Sequence, residues 1–115
     1  MLALQMLPDR RTYVGGSDAR ILMGSDTAAI VRLWREKRGE VAPADLSHDL
    51  LVQLGCETEA LNRRWFEQET GMRVSAVQRF CRHPSLTFMG ATLDGLVEGG
   101  SGQRAVYEAK FMLPF

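Results

Sequence analysis

The hydrophobic periodicity of the chain changes once, near Arg73, and that change limits the folds available to it. Before this point apolar residues recur at helical spacing, and after it they alternate as in half-buried strands. Helices followed by strands in a short chain indicate an α+β fold. Because 115 residues support one hydrophobic core, we predict a single domain spanning 1–115.

Three helices are expected in the first part of the chain. Ser17 is predicted to cap a short helix, and Asp26 a second helix that stops at Gly39. The longest helical pattern covers 47–70 and is closed by Gly71, the residue type that most readily ends a helix.

The long helix carries two different faces that could meet the rest of the protein. Glu59 lies on the second of them, which is only partly apolar. A buried carboxylate needs a partner, since an unpaired buried charge is costly. Arg63 one turn later is one candidate, and a metal ion approaching over Gly55 is the other. The first face, predicted to be the core face, consists of Leu50, Leu54, Leu61 and Trp65.

The second part of the chain predicts a hairpin. The glycine-rich segment 98–103 is expected to be a loop between strands at 91–97 and 104–111. In the symmetric register of that hairpin, Asp94 lies directly opposite Glu108, and a slip of two residues would make them diagonal neighbours.

Two carboxylates placed opposite each other repel, so this hairpin predicts a site for a positive ion. Oxygen ligands of this kind favour Mg²⁺ or Mn²⁺. Lys110 shares a strand face with Glu108, where an ammonium group could orient or deprotonate a water molecule bound to that ion. The alternative interpretation is a plain turn at Asp94 beside a solvated strand face.

Charge and cysteine content exclude few classes of function. Fourteen basic and fourteen acidic side chains give a net charge of zero, so the charge of the chain does not indicate a nucleic-acid partner. It does not exclude one either, because carboxylates that bind metal ions are compatible with a phosphate ligand. Cys56 and Cys81 lack ligand spacing and are predicted to be reduced, partly buried thiols. The absence of a long apolar run and of a signal-peptide pattern predicts a soluble, intracellular protein without a membrane partner.

Three motifs in order, Gly55-x-x-x-Glu59, Leu93-Asp94-Gly95 and Glu108-Ala109-Lys110, resemble the PD-(D/E)XK nuclease superfamily. This resemblance implies a restriction-endonuclease-like core, with N-terminal helices packed on a mixed, mostly antiparallel β-sheet.

The likeness is greatest to one branch, the YqaJ-type viral recombinases and lambda-type exonucleases. It covers about residues 10 to 110 and includes three further segments, at 10–19, 33–39 and 88–96. The branch implies a Mg²⁺-dependent deoxyribonuclease, most closely a phage-type 5′→3′ exonuclease of duplex ends that acts in recombination. An endonuclease of the same fold is one alternative, and an inactive or truncated DNA-binding accessory module is the other.

The resemblance also assigns roles to the catalytic residues. Asp94, Glu108 and the backbone carbonyl of Ala109 would hold Mg²⁺, or Mn²⁺ as a substitute. Glu59 would contribute to the same ion or to a second one. Lys110 would act on the attacking water.

A further pair of residues is implied to bind the substrate. Arg10 and Ser17 match the residues that receive the 5′-terminal phosphate in this branch, and Arg11 could replace Arg10. A serine at a helix N-terminus after a Gly-Gly turn also favours an anion. The alternative is a capping serine beside a solvated arginine.

The partners implied are DNA, other copies of the chain and a single-strand annealing protein. The branch forms ring-shaped trimers and continues with a further helix and strands, which the 115 residues are expected to lack. An exposed sheet edge at 104–111 would then favour a dimer. A phage or prophage origin in the cytoplasm of a bacterial host is also implied.

Overall fold

A computed structural model describes residues 8–114 of the chain, and their contacts divide into two compact units. The first unit takes in the described residues through Pro43 together with Phe80–Thr92. The second takes in Ala44–Arg79 together with the described chain from Leu93 onward. The single domain expected from chain length stays a prediction.

The described residues form an α+β arrangement, which confirms the predicted fold class and is consistent with a restriction-endonuclease-like core. No helix in the described part of the chain has the length and apolar character of a bilayer span. The elements in chain order are a 3-10 turn at Arg10–Thr12, α1 Gly16–Leu22, α2 Thr27–Lys37, α3 Leu50–Thr70, β1 Val74–Ser75, β2 Arg79–Arg82, β3 Gly90–Leu93, β4 Gly95–Glu98 and β5 Arg104–Tyr107.

The caps of α2 and α3 confirm the helix boundaries read from local residues, apart from the start of α3. Asp26 accepts a hydrogen bond from the backbone N–H of Ala29 at 3.1 Å, and Gly39 follows the helix with φ of +75°. The third helix begins three residues later than expected, because Asp49 caps it, and it ends at Gly71 in the left-handed conformation.

The prediction that Ser17 caps α1 was wrong. The helix begins at Gly16 after the N-cap residue Gly15, so Ser17 lies within the first turn. The capping group is the carboxylate of Asp18, whose Oδ2 accepts a hydrogen bond from the Gly15 N–H at 3.0 Å. A carboxylate at this position also interacts favourably with the positive end of the helix dipole.

Lys37 holds the first unit together through three contacts of its ammonium group. Its Nζ donates hydrogen bonds to the backbone carbonyls of Arg10 at 2.5 Å and Tyr13 at 2.8 Å, and lies 2.8 Å from Oδ2 of Asp18. Burial opposes ionisation of Asp18, but the hydrogen bonds from Lys37 and Gly15 outweigh it and hold the pKa of this carboxyl below its ordinary value. Sequence reasoning assigned Lys37 no role.

Two aromatic side chains pack against each other in the first unit. The rings of Tyr13 and Phe80 lie 4.7 Å apart, and both approach Gly90 closely enough that a side chain there would overlap Phe80. Strand β2 pairs with β3, and a parallel bridge joins Val14 to Met89. The sheet of this unit therefore packs against Tyr13, which precedes α1.

The hairpin of the second unit confirms the predicted register. Strand β4 pairs with β5 in antiparallel fashion, with Gly95 opposite Tyr107 and Glu98 opposite Arg104. Asp94 and Glu108 occupy the next position beyond the last of these pairs. The sheet has the order β1-β4-β5, so β5 is its edge strand, and its pairing with a second copy stays a prediction.

Both strands of the hairpin are shorter than the alternation pattern predicts. The expected strand 91–97 is interrupted at Asp94, since β3 and β4 belong to different sheets, and the expected strand 104–111 ends at Tyr107. Oδ2 of Asp94 accepts a hydrogen bond from the backbone N–H of Ala109 at 2.8 Å. A side-chain oxygen therefore takes the N–H that a longer ladder would pair with a backbone carbonyl.

The packing of α3 corrects the prediction of its core face. The apolar stripe expected to be buried is largely exposed, with Leu50 66%, Leu61 55% and Trp65 61% accessible. The face that carries Glu59 packs instead, and Phe66 on this face contacts the ring of Tyr107 at a centroid distance of 5.1 Å. Helical spacing identifies both faces, but the sheet surface decides which one is covered.

The two cysteines are free thiols, as predicted, but the expected partial burial was wrong. Cys56 and Cys81 are both exposed.

Gly95→Ala is expected to lower the free energy of unfolding by about 1–3 kcal/mol. Gly95 is buried beside β1, the strand that pairs with β4, and an added Cβ would overlap Cγ1 of Val74 and lie 3.2 Å from the carbonyl of Ser75. Urea denaturation measures the effect. Gly100→Ala is the matched control, because an added Cβ there has no neighbour within 4 Å. Equal midpoints for the two variants would contradict close packing at Gly95.

Candidate functional site

The second unit contains an open cleft of about 410 Å³ between the middle of α3 and the end of the hairpin. Helix α3, the β3–β4 junction and the segment after β5 each contribute to its wall. All five residues predicted to form the catalytic and metal-binding site line this one cleft: Glu59, Asp94, Glu108, Ala109 and Lys110.

Asp94 reaches the cleft from the junction between β3 and β4. Its Oδ2 is held by the backbone N–H of Ala109, while Oδ1 makes no hydrogen bond within residues 8–114. The carboxylate is therefore fixed by one oxygen and retains the other as a potential ligand. The Ala109 N–H contributes to the site by orienting this carboxylate, a role that sequence reasoning did not assign.

Glu59 reaches the cleft from the middle of α3, and its side-chain partner is an amide. The Nε2 group of Gln78 donates a hydrogen bond to Oε1 of Glu59 at 2.6 Å. In the described chain no ion pair joins Glu59 to Arg63, so the predicted salt bridge within the helix does not form. Gln78 was missed by sequence reasoning because it is 19 residues away and belongs to no recognisable motif.

Glu108 and Lys110 follow the last residue of β5. The Lys110 ammonium lies 3.2 Å from Oε1 of Glu108, and the two side chains are 54% (Glu108) and 69% (Lys110) exposed. An ion pair this exposed is weak, so both side chains remain free to rotate when another charged group enters the cleft.

The side chains of the cleft have the chemistry to hold a hard divalent ion, but in the described chain they do not meet at one position. Within residues 8–114, no three acidic, imidazole or thiol side chains meet at the spacing that a bound ion requires. The groups lining the cleft are nevertheless oxygen donors, which Mg²⁺ and Mn²⁺ prefer. Glu108 is the exposed member of the set, whereas Glu59 and Asp94 are half-buried.

The phenol of Tyr107 is within electrostatic range of several charged groups of the second unit. Burial raises the pKa of its phenol, the guanidinium of Arg63 opposes this rise, and the carboxylates of Asp94 and Glu59 add to it. Two of the three acidic groups of the cleft therefore act on the same half-buried phenol, at the base of the hairpin.

The proposed substrate-binding pair lies in the first unit. Nη2 of Arg10 donates a hydrogen bond to Oγ of Ser17 at 3.4 Å, and both side chains are exposed. Arg11 is engaged elsewhere, because its guanidinium binds the carboxylate of Asp9 and lowers the pKa of that carboxyl to about 2. Of the two arginines considered, Arg10 is thus the one placed beside Ser17.

Comparison with known proteins gives one family and one curated relative. The family model of the YqaJ-like viral recombinase domain matches residues 5–114 of the sequence. The chain is 31% identical over 107 residues to the uncharacterized protein YqaJ of Bacillus subtilis (strain 168), covering 92% of this chain and 32% of that protein. It thus spans about a third of the length of the relative. No solved structure matches the chain.

Proposed function

Because this chain belongs to the YqaJ-like viral recombinase domain family, we propose that it is a nuclease that hydrolyses DNA phosphodiester bonds with Mg²⁺. The observation that carries the proposal is the cleft shared by Glu59, Asp94, Glu108 and Lys110. Three carboxylates can hold a divalent ion for metal-assisted phosphodiester hydrolysis, and an ammonium group beside them can stabilise the charge that develops on the phosphate.

The carboxylates would serve as the metal ligands. Oδ1 of Asp94, the Glu108 carboxylate and the carbonyl oxygen of Ala109 would hold Mg²⁺ or Mn²⁺, with Glu59 contributing to the same ion or to a second one. A bound ion would supply Lewis-acid polarisation of the phosphate and a more acidic water. Asp94 is held in place for this role by its hydrogen bond to the Ala109 N–H.

Lys110 would act on the attacking water and on the phosphate. Its Nζ can donate hydrogen bonds to both, which orients the nucleophile and stabilises negative charge that develops on the phosphate oxygens. The ammonium already lines the cleft, in a weak exposed pair with Glu108.

Arg10 and Ser17 would hold the 5′-terminal phosphate of a duplex end. A guanidinium and a hydroxyl within hydrogen-bonding distance of each other present several donors to one anion. With this role the proposed enzyme is a 5′→3′ exonuclease of duplex ends, and its family supports a part in recombination. A DNA-binding accessory module without catalysis is the second candidate, which the unconverged carboxylates favour.

In Mg²⁺ the protein is expected to degrade a 5′-phosphorylated linear duplex and to leave a covalently closed circle intact. Release of a 5′ end label, followed over time and abolished by a chelator, measures the reaction. Cleavage of the circle at the same rate would assign an endonuclease. Binding of the linear duplex without any cleavage would assign the accessory module.

The same assay tests the terminal-phosphate site with a matched pair of variants. Arg10→Met is expected to remove most of the preference for 5′-phosphorylated over 5′-hydroxyl ends. Arg11→Met removes an equal charge from the adjacent position, but from a side chain already bound to Asp9, and is expected to retain the preference. Loss of the preference in both variants would point to general charge instead of a specific site.

A further inference from the structure

The partner of Glu59 lies in a loop that no motif of the sequence marks. Gln78 follows β1 and immediately precedes β2, and its side-chain amide donates the 2.6 Å hydrogen bond to Oε1 of Glu59. This contact joins the helix that carries a candidate ligand to the loop between two strands. It fixes one of the two Glu59 oxygens.

The backbone of this loop adopts a conformation that its residues disfavour. Ala76 has φ of +53° and Gln78 has φ of +59°, and these are the non-glycine residues with positive φ in the described chain. Side chains with a Cβ avoid the left-handed region, where glycine and asparagine are the usual residues. Such conformations persist where the surrounding structure requires them, often at functional sites.

The chemistry of the donor also distinguishes it from an ordinary ion pair. An amide N–H orients a carboxylate without neutralising it, whereas a guanidinium would compete with a divalent cation for the same charge. Arg63 is available one turn along α3, yet the neutral amide is the group bound to Glu59. The contact thus preserves the charge that a metal ligand needs.

We propose that Gln78 is a positioning residue that holds Glu59 in orientation for a divalent ion in the cleft. This inference rests on the proposed function, because it requires that the cleft bind metal. Groups that orient a metal ligand typically change metal affinity by about 10–100-fold when they are removed.

Calorimetric titration with Mn²⁺ tests the inference in the full chain. Gln78→Gly is expected to raise the Mn²⁺ dissociation constant about tenfold. The same substitution should leave the melting temperature unchanged or raise it, because glycine suits the left-handed backbone. Replacing a purely structural residue would lower both the melting temperature and the Mn²⁺ affinity. Weaker Mn²⁺ binding without a lower melting temperature therefore identifies a positioning residue.

Ala76→Gly is the matched control, since it relieves the same backbone conformation in the same loop without removing the amide. It is expected to bind Mn²⁺ like the wild type. Equal weakening in Ala76→Gly and Gln78→Gly would overturn the inference, because loop flexibility would then explain both. Gln78→Met, which keeps the side-chain length, replaces Gln78→Gly if the latter does not fold.

A Glu59→Gln background separates this inference from the proposed function. Gln78→Gly is expected to have no further effect on Mn²⁺ affinity there, because the amide acts through the Glu59 carboxylate. A wild type that binds Mn²⁺, with Gln78→Gly binding equally well, overturns the positioning role alone. A wild type that binds no Mn²⁺ overturns the proposed metal site and this inference with it.

Discussion

Glu108→Gln is expected to lower Mg²⁺-dependent cleavage of linear duplex DNA by about 10³-fold or more. Glutamine keeps the size of the side chain but removes the charge that would hold the ion beside Asp94. Since Glu108 is 54% exposed and makes only a weak pair with Lys110, the substitution should not unfold the protein. Initial rates of label release at saturating Mg²⁺ measure the effect, and circular dichroism confirms folding.

Glu98→Gln is the control for this variant. Glu98 lies at the end of β4 in the same unit, is exposed, and pairs with Arg104 at 3.5 Å. The substitution removes the same charge outside the cleft residues, so the cleavage rate should stay within about twofold of the wild type. Comparable rates for Glu108→Gln and the wild type would refute the role of Glu108 as a ligand.

Lys37→Met is expected to cause a large loss of stability, about 3 kcal/mol in the free energy of unfolding. The ammonium pairs with Asp18, which is only 6% exposed, and also binds the carbonyls of Arg10 and Tyr13. Methionine fills similar space but leaves the buried Asp18 carboxylate without its cation and two carbonyls without the Lys37 donor. Urea denaturation followed by fluorescence measures the change.

Two further variants show whether burial is the cause. Arg32→Met removes an exposed ion pair with Glu36 from the same helix and is expected to cost less than about 1 kcal/mol. Asp18→Asn combined with Lys37→Met should recover part of the loss, because the uncompensated charge is gone. A double variant no more stable than Lys37→Met alone would show that the carbonyl contacts carry the effect.

Which residues line the cleft together could be predicted from the sequence, but the contacts that orient them could not. The symmetric hairpin places Asp94 next to Glu108, and helical spacing separates Glu59 from the solvated face of α3. The structure adds that Asp94 interrupts the strand and binds the Ala109 N–H, and that Glu59 binds Gln78. Neither contact follows from sequence, because each joins groups 15 or more residues apart through a side chain.

The sequence by itself determined the features whose energies are local. The caps at Asp26 and Gly71 and the pairing of β4 with β5 depend on residues a few positions apart, which a short window contains. The tertiary structure decided which face of α3 packs against the hairpin and where the Lys37 ammonium binds. Both features depend on surfaces that come into contact only after folding. Burial and charge pairing are set by distance in space and not by separation along the chain.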